Sequence, residues 1–206
     1  MPAEKLRNDR IPKKQFPREY RNSDDYRPGN CLKTVVASTN AGPRIQRVMQ
    51  MSSNDIFHII RWENYDSYRK TIESVTLGAV DESGNNMLHV AASRGKIDIG
   101  SDLIERGIFL NRQGKEGKTP LHYALEMGDN EMATLLISAG ADVTVTDDYG
   151  NQPLWSAVMN EEVDDNVIRL LVQHGADPVN QNEAGKSPLD VARRREEETL
   201  IEIFTD

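Results

Sequence analysis

The sequence predicts an all-α solenoid of about five helix-turn-helix units, degenerate end units included, over residues 51–206, behind a basic, proline-containing extension over residues 1–50. Three observations predict it. Gly84, Gly117, Gly150 and Gly185 recur at spacings of 33, 33 and 35 residues, and self-similarity at such a period marks stacked supersecondary units. Each of these glycines precedes an apolar-periodic stretch too short to be a stable helix alone. The first 50 residues share neither feature; prolines at positions 2, 12, 17, 28 and 43 and few apolar side chains predict extended or disordered chain there.

The units are expected at about 54–80, 81–113, 114–146, 147–181 and 182–206. In "NDIFHIIRWENYDSYRKTIESV" (54–75) two apolar-periodic stretches predict a degenerate first unit, and Phe57 precedes His58 as Leu88 precedes His89. The unit from Gly114 is the clearest. Thr119 can cap its first helix through the hydroxyl, and Pro120 takes the first helical position, where a missing N–H costs nothing. Leu121, Ala124 and Leu125 share one face at i, i+3, i+4. Gly128-Asp129-Asn130 breaks the helix; Met132, Ala133, Leu135 and Leu136 form the stripe of a second, which Gly140 ends. Burying each large apolar side chain against the next unit is worth roughly 1.5–3 kcal/mol, which is why such units come in series.

Two units depart from the pattern. A two-residue insertion near "NEEVDDN" (160–166) predicts a longer turn between the helices of the unit from Asp147. The last unit has no glycine between "RRR" and "EEE" (193–198), so the division of its two helices stays open; pairs Arg193–Glu197 and Arg194–Glu198 are expected at i, i+4. In the extension, "CLKTVVAST" (31–39) is read as a short strand and "PRIQRVMQM" (43–51) as a helix leading into the first unit.

"TPLHYA" (119–124) with "SAGADV" (138–143) at a 33-residue period resembles the ankyrin repeat, over about residues 81–206. "MLHVAA" (87–92), "QPLWSA" (152–157), "SPLDVA" (187–192) and "QHGADP" (173–178) fit the same frame. The family's helical histidine stands at His89 and His122 but is Trp155 and Asp190 in the next two segments, and Trp155 is expected to alter packing between the segments from Asp147 and Asn182. The resemblance implies that His89 and His122 tie units together through backbone bonds, and that Asp142 and Asp177 satisfy turn amides.

It further implies a concave face for binding protein, built from turn tips and the outward side of the first helices. Carried onto this chain, the tips are Glu82, Ser83, Asn85, Lys115, Glu116, Lys118, Asp148, Tyr149, Asn151 and Glu183; the helix positions are Arg94, Glu126, Met127, Trp155, Met159 and Asn160. Tyr149, Met127, Met159 and Trp155 form an apolar centre, of the composition of an interface hot spot; Met127 and Met159 can equally be read as filling gaps between units. The short stack and "GNQPLWSAV", "HGADP" and "AGKSPLDVA" are similar to bacterial ankyrin immunity proteins that inhibit a cognate toxin; a cytosolic adaptor or scaffold is the alternative.

Charge indicates the partner. Residues 1–50 carry 11 Lys and Arg against 5 Asp and Glu, net +6; the remaining 14 basic and 28 acidic residues give the body −14. An acidic body disfavours nucleic acid and favours a basic protein partner. "EEVDD" (161–165) places four carboxylates in a turn as one contact for it. The cationic extension is expected to lie along the acidic body or to be clamped by a partner.

No apolar run approaches a membrane span, and "MPAEKLRNDRIPKKQF" lacks the apolar core of a secretory signal. With one cysteine, Cys31, the expected address is cytoplasmic. The histidines, His58, His89, His122 and His174, lack metal-ligand spacing, and no phosphate loop, serine elbow or zincin motif is present. No cofactor, metal or catalytic residue is expected, and the chain reads as a non-enzyme. An enzyme reading would rest on Cys31 alone.

Overall fold

The computed structural model describes residues 53–205. The readings placed on Cys31, the strand at 31–39, the helix at 43–51 and the docking of the extension lie outside these residues.

The repeated apolar stripes fold as five antiparallel helix pairs: α1 (Ser53–Trp62) with α2 (Tyr65–Ile72), α3 (Met87–Ser93) with α4 (Ile97–Glu105), α5 (Pro120–Glu126) with α6 (Asn130–Ser138), α7 (Pro153–Met159) with α8 (Asp165–Gln173), and α9 (Pro188–Arg195) with α10 (Glu198–Thr205). No strand forms among the described residues, only an isolated bridge between Val80 and Asn86. The all-α solenoid is therefore as predicted. First helices pack on first helices, α1 on α3, α3 on α5, α5 on α7 and α7 on α9, while α2, α4, α6, α8 and α10 form a parallel second row. A continuous core runs between the rows from Ile56 to Ile203. Helices of seven to nine residues hold together here because each buries its stripe against two neighbours.

Local chemistry sets each boundary. Pro120, Pro153 and Pro188 open α5, α7 and α9. Gly128 and Gly140 take positive φ, 67° and 91°, at the ends of α5 and α6. The insertion lengthens the α7–α8 turn to residues 160–164, against 127–129 between α5 and α6. In the last unit Glu196 takes the left-handed conformation that glycine takes elsewhere, at φ 59°, and divides α9 from α10. That break removes the helical register needed for Arg193–Glu197 and Arg194–Glu198. Arg195 faces Glu197 instead, at 3.5 Å.

The first unit is a true end cap. α1 buries Ile56, Phe57, Ile59 and Ile60 and leaves Asp55 and His58 exposed. Four polar links join it to the second unit: Arg61 to Asp81 at 2.6 Å, the Tyr68 hydroxyl to Asp102 at 2.6 Å, Arg106 to Glu73 at 2.9 Å, and Lys96 to Glu63 O at 3.5 Å. Burial and the bond to Asp102 push the Tyr68 phenol well above its usual range. Burial alone would raise the Asp102 carboxyl; bonds from Arg106 and Tyr68 outweigh it and hold the group below its usual value.

Candidate functional site

The turn tips begin with a side chain that folds the backbone onto itself. Asp147 Oδ1 accepts the amides of Tyr149 and Asn151, both at 2.9 Å; Asp81 does the same for Ser83 and Asn85, and Asn182 for Ala184 and Lys186. These are Asx turns, and they set each tip. The third tip differs. Gly114 stands where the aspartate would, because the Asn85 side chain reaches into that space: it accepts the Lys115 amide at 3.1 Å, and a Cβ at Gly114 would collide with it. That tip closes as a single 3-10 turn with Glu116 at positive φ.

Adjacent tips are laced by backbone bonds. The Asp148 amide donates to Glu116 O at 3.0 Å, and the Glu183 amide to Tyr149 O at 2.9 Å. Behind them His89 Nε2 lies 3.1 Å from Lys118 O and His122 Nε2 3.1 Å from Asn151 O, each in the following unit. A carbonyl only accepts, so Nε2 carries the proton. Nδ1 then accepts the amide of Asn86 or Thr119. Thr119 therefore caps its helix through His122, with its hydroxyl 2.8 Å from Nδ1. Trp155 cannot make this bond. The junction it leaves is held by Gln152 on the Asp177 amide, Asn180 on Gly150 O and Asn182 on Asn151, at 2.9–3.0 Å. Asp142 and Asp177 accept the amides of Thr144 and Val179, as expected.

Between the third and fourth units these elements enclose an open groove of about 330 Å³. It is lined by Lys118, Glu126, Tyr149, Asn151, Trp155, Met159 and Asn160, all singled out from the sequence, and by Asp147 and Ser156, which were not. Lys118 Nζ sits 2.9 Å from both Glu116 and Glu126. Burial alone would lower the Lys118 ammonium; the bonds to Glu126 and Glu116 outweigh it and hold the group above its usual range. Asn160 Nδ2 donates to Leu125 O and Glu126 O at 3.0 and 3.1 Å, closing the end of α5. Asn151 is tied to Asp147 and Asn182. The most exposed lining residues are apolar: Tyr149 and Met159 are 53% and 45% exposed, while Trp155, Glu126, Asn151 and Asn160 are half-buried. Met127 is 52% exposed, and Met159 has Arg195 of the last unit against its sulfur at 3.8 Å.

The remaining singled-out residues lie around this centre or away from it. Glu82, Ser83, Lys115, Asp148 and Glu183 are exposed at the tips. Asn85 is half-buried and committed to Asp81 and Lys115. Arg94 stacks on Trp62, 4.8 Å from its ring, at the other end of the row of first helices. Trp62 is 65% exposed. It escaped the sequence reading because the period is weakest in the first unit. Tyr123, half-buried with its ring edge-on to His89, escaped it because tyrosine at that position fits a core stripe equally well.

The family profile for ankyrin repeats, in three copies, matches residues 52–147. The same hairpins continue beyond it through α7–α10. Residues 52–147 are thus ankyrin repeats, and the helix pairs that follow them repeat the same hairpin. It is similar to an ankyrin repeat-containing protein of Schizosaccharomyces pombe, 31% identical over 96 residues, covering 47% of this chain and 44% of that one. The B-cell lymphoma 3 protein homolog of Mus musculus is 32% identical over 122 residues, 57% of this chain and 27% of the relative. Palmitoyltransferase ZDHHC13 of Homo sapiens is 26% identical over 126 residues, 60% of this chain and 20% of the enzyme. The chain thus spans less than half the length of these relatives. Ankyrin repeats are protein-interaction modules. No described helix is long and apolar enough to cross a membrane.

Proposed function

We propose that this ankyrin stack binds a basic segment of a protein partner across its tips and first helices, centred on Tyr149, Trp155, Met127 and Met159. The observation that supports this reading is that Tyr149, Trp155 and Met159 line one groove beside charged and carboxamide groups already paired with one another. Such a patch gains from burial and leaves little polar surface unsatisfied when covered. The rim around it is Glu82, Ser83, Asn85, Arg94, Lys115, Glu116, Lys118, Glu126, Asp148, Asn151, Asn160 and Glu183. The −14 charge of residues 51–206 favours a cationic partner.

Affinity capture tests the face. Tyr149→Ala and Met127→Ala, both at exposed positions, are expected to weaken capture of the partner by about tenfold or more while leaving the fold intact. Undiminished capture by both variants would place binding elsewhere. The narrower form of the reading is a cytoplasmic immunity protein that inhibits a cognate toxin, which the resemblance to bacterial ankyrin immunity proteins suggests; the alternative is a cytosolic adaptor or scaffold with no inhibitory role. Expressing the captured partner alone separates them. A partner that stops growth unless this chain is co-expressed supports inhibition, and a harmless partner supports the scaffold.

A further inference from the structure

Granted the concave-face reading above, we infer that the partner segment carries one large apolar side chain, seated among Tyr149, Trp155 and Met159, with arginine or lysine side chains beside it that lie against Glu161, Glu162, Asp164 and Asp165. The groove and the turn next to it differ in chemistry, and the difference specifies the occupant.

Inside the groove the charged and carboxamide groups have partners; the Ser156 and Tyr149 hydroxyls and the Trp155 indole N–H have none among the described residues. Lys118 lies between Glu116 and Glu126. Asp147 accepts two amides and the Asn151 side chain. Asn160 donates to Leu125 O and Glu126 O and accepts the Glu162 amide. A charged side chain entering there loses water and meets no unpaired opposite charge. An apolar one gains about 25 cal/mol for each Å² it covers. At about 330 Å³ the groove lies at the low end of the roughly 300–1,000 Å³ that hold small molecules, which suits one anchoring side chain.

The turn is the reverse. The insertion leaves Glu161, Glu162, Asp164 and Asp165 exposed, and among the described residues none of them forms an ion pair. A second hollow, of about 230 Å³, is lined by Glu161, Asp165 and Arg195 among others. The Arg195 guanidinium is engaged by Val158 O at 3.0 Å and Glu197 at 3.5 Å, so it does not neutralise the two carboxylates. Asn160 lines both hollows, so the apolar seat and the carboxylates adjoin. A partner with cations next to its anchor relieves four like charges held together, and does so in a salt-dependent way.

The test uses the full chain as bait for a random dodecapeptide library displayed on phage. The expected winners carry Trp, Phe, Leu or Met beside two or more Arg or Lys. As synthetic peptides they should lose about tenfold or more in affinity with Tyr149→Ala. They should lose as much with the combined variant Glu161→Gln, Glu162→Gln, Asp164→Asn, Asp165→Asn, and weaken as NaCl rises from about 50 to about 500 mM. These amide replacements keep side-chain size and capping ability, and an unchanged melting temperature certifies the fold. Winners that need Tyr149 but lack basic residues, or ignore the combined variant, overturn this inference and leave the concave-face reading standing. Basic winners indifferent to Tyr149→Ala but sensitive to the combined variant overturn the pairing of anchor and cation. An absence of winners sensitive to Tyr149→Ala or Met127→Ala overturns both readings.

Discussion

His89 and His122 show how a single side chain acts on two units at once. Each accepts an amide at the start of its own helix and donates to a carbonyl one unit onward. Both need to be neutral to do so. Burial pushes the His89 imidazole down from 6.5 to about 4, and lowers His122 too. The unfolded chain takes up these protons near pH 6.5 while the folded chain does not, so stability present at neutral pH is lost as pH falls from 6.5 toward 4. His89 alone accounts for roughly 3 kcal/mol of that loss. Thermal denaturation is expected to be level from pH 8 to 7 and to move steeply to lower temperature below 6.5; a level profile down to pH 4 would refute this account of the histidines. The histidine positions were legible because the motif repeats. The roles of Gly114 and Asn85 were not, since the carboxamide that fills an aspartate's place comes from 29 residues upstream.

At the scale of the helix pair, the paired stripes and their glycine stops were readable, and so was the longer turn produced by two inserted residues. The last pair was not. A run of three arginines and three glutamates holds no glycine, so the pattern left open where its two helices divide and allowed i, i+4 ion pairs across the run. Packing of Val191 and Ala192 on one side, and of Leu200 and Ile203 on the other, requires a reversal between them, and Glu196 makes it at positive φ. A side chain there is strained where glycine is not. Glu196→Gly is expected to raise stability by up to about 1 kcal/mol, seen as a higher denaturation midpoint with an unchanged slope. A lower midpoint would mean that the Glu196 side chain contributes more than its backbone conformation costs.

Across the whole described body, stability is that of a short row in which each unit contacts only its neighbours. The end unit therefore matters more than its weak resemblance to the repeat suggests. Removing residues 1–80 would uncover the apolar side of α3 and α4 and leave Asp81 and Asp102 without Arg61 and Tyr68. The shortened chain is expected to melt at lower temperature and to bind hydrophobic dyes; an unchanged melting temperature with no dye binding would show that the cap is dispensable. The fold was legible at this scale from the period alone, because 33 residues is the length of one hairpin and its tip. The groove was legible only in part. Tyr149, Trp155 and Met159 stood out as an apolar centre, but the pairing of Lys118, Asp147 and Asn160 with their neighbours is a matter of distances that no one-dimensional pattern carries.

The bonds from Asp148 to Glu116 and from Glu183 to Tyr149 yoke three successive tips into one comb. A load placed on the tooth that bears Tyr149 is shared by the teeth on either side. Both bonds join main-chain atoms, so removing an amide with Asp148→Pro or Glu183→Pro, and not a change of side chain at Glu116, is what would loosen that tooth.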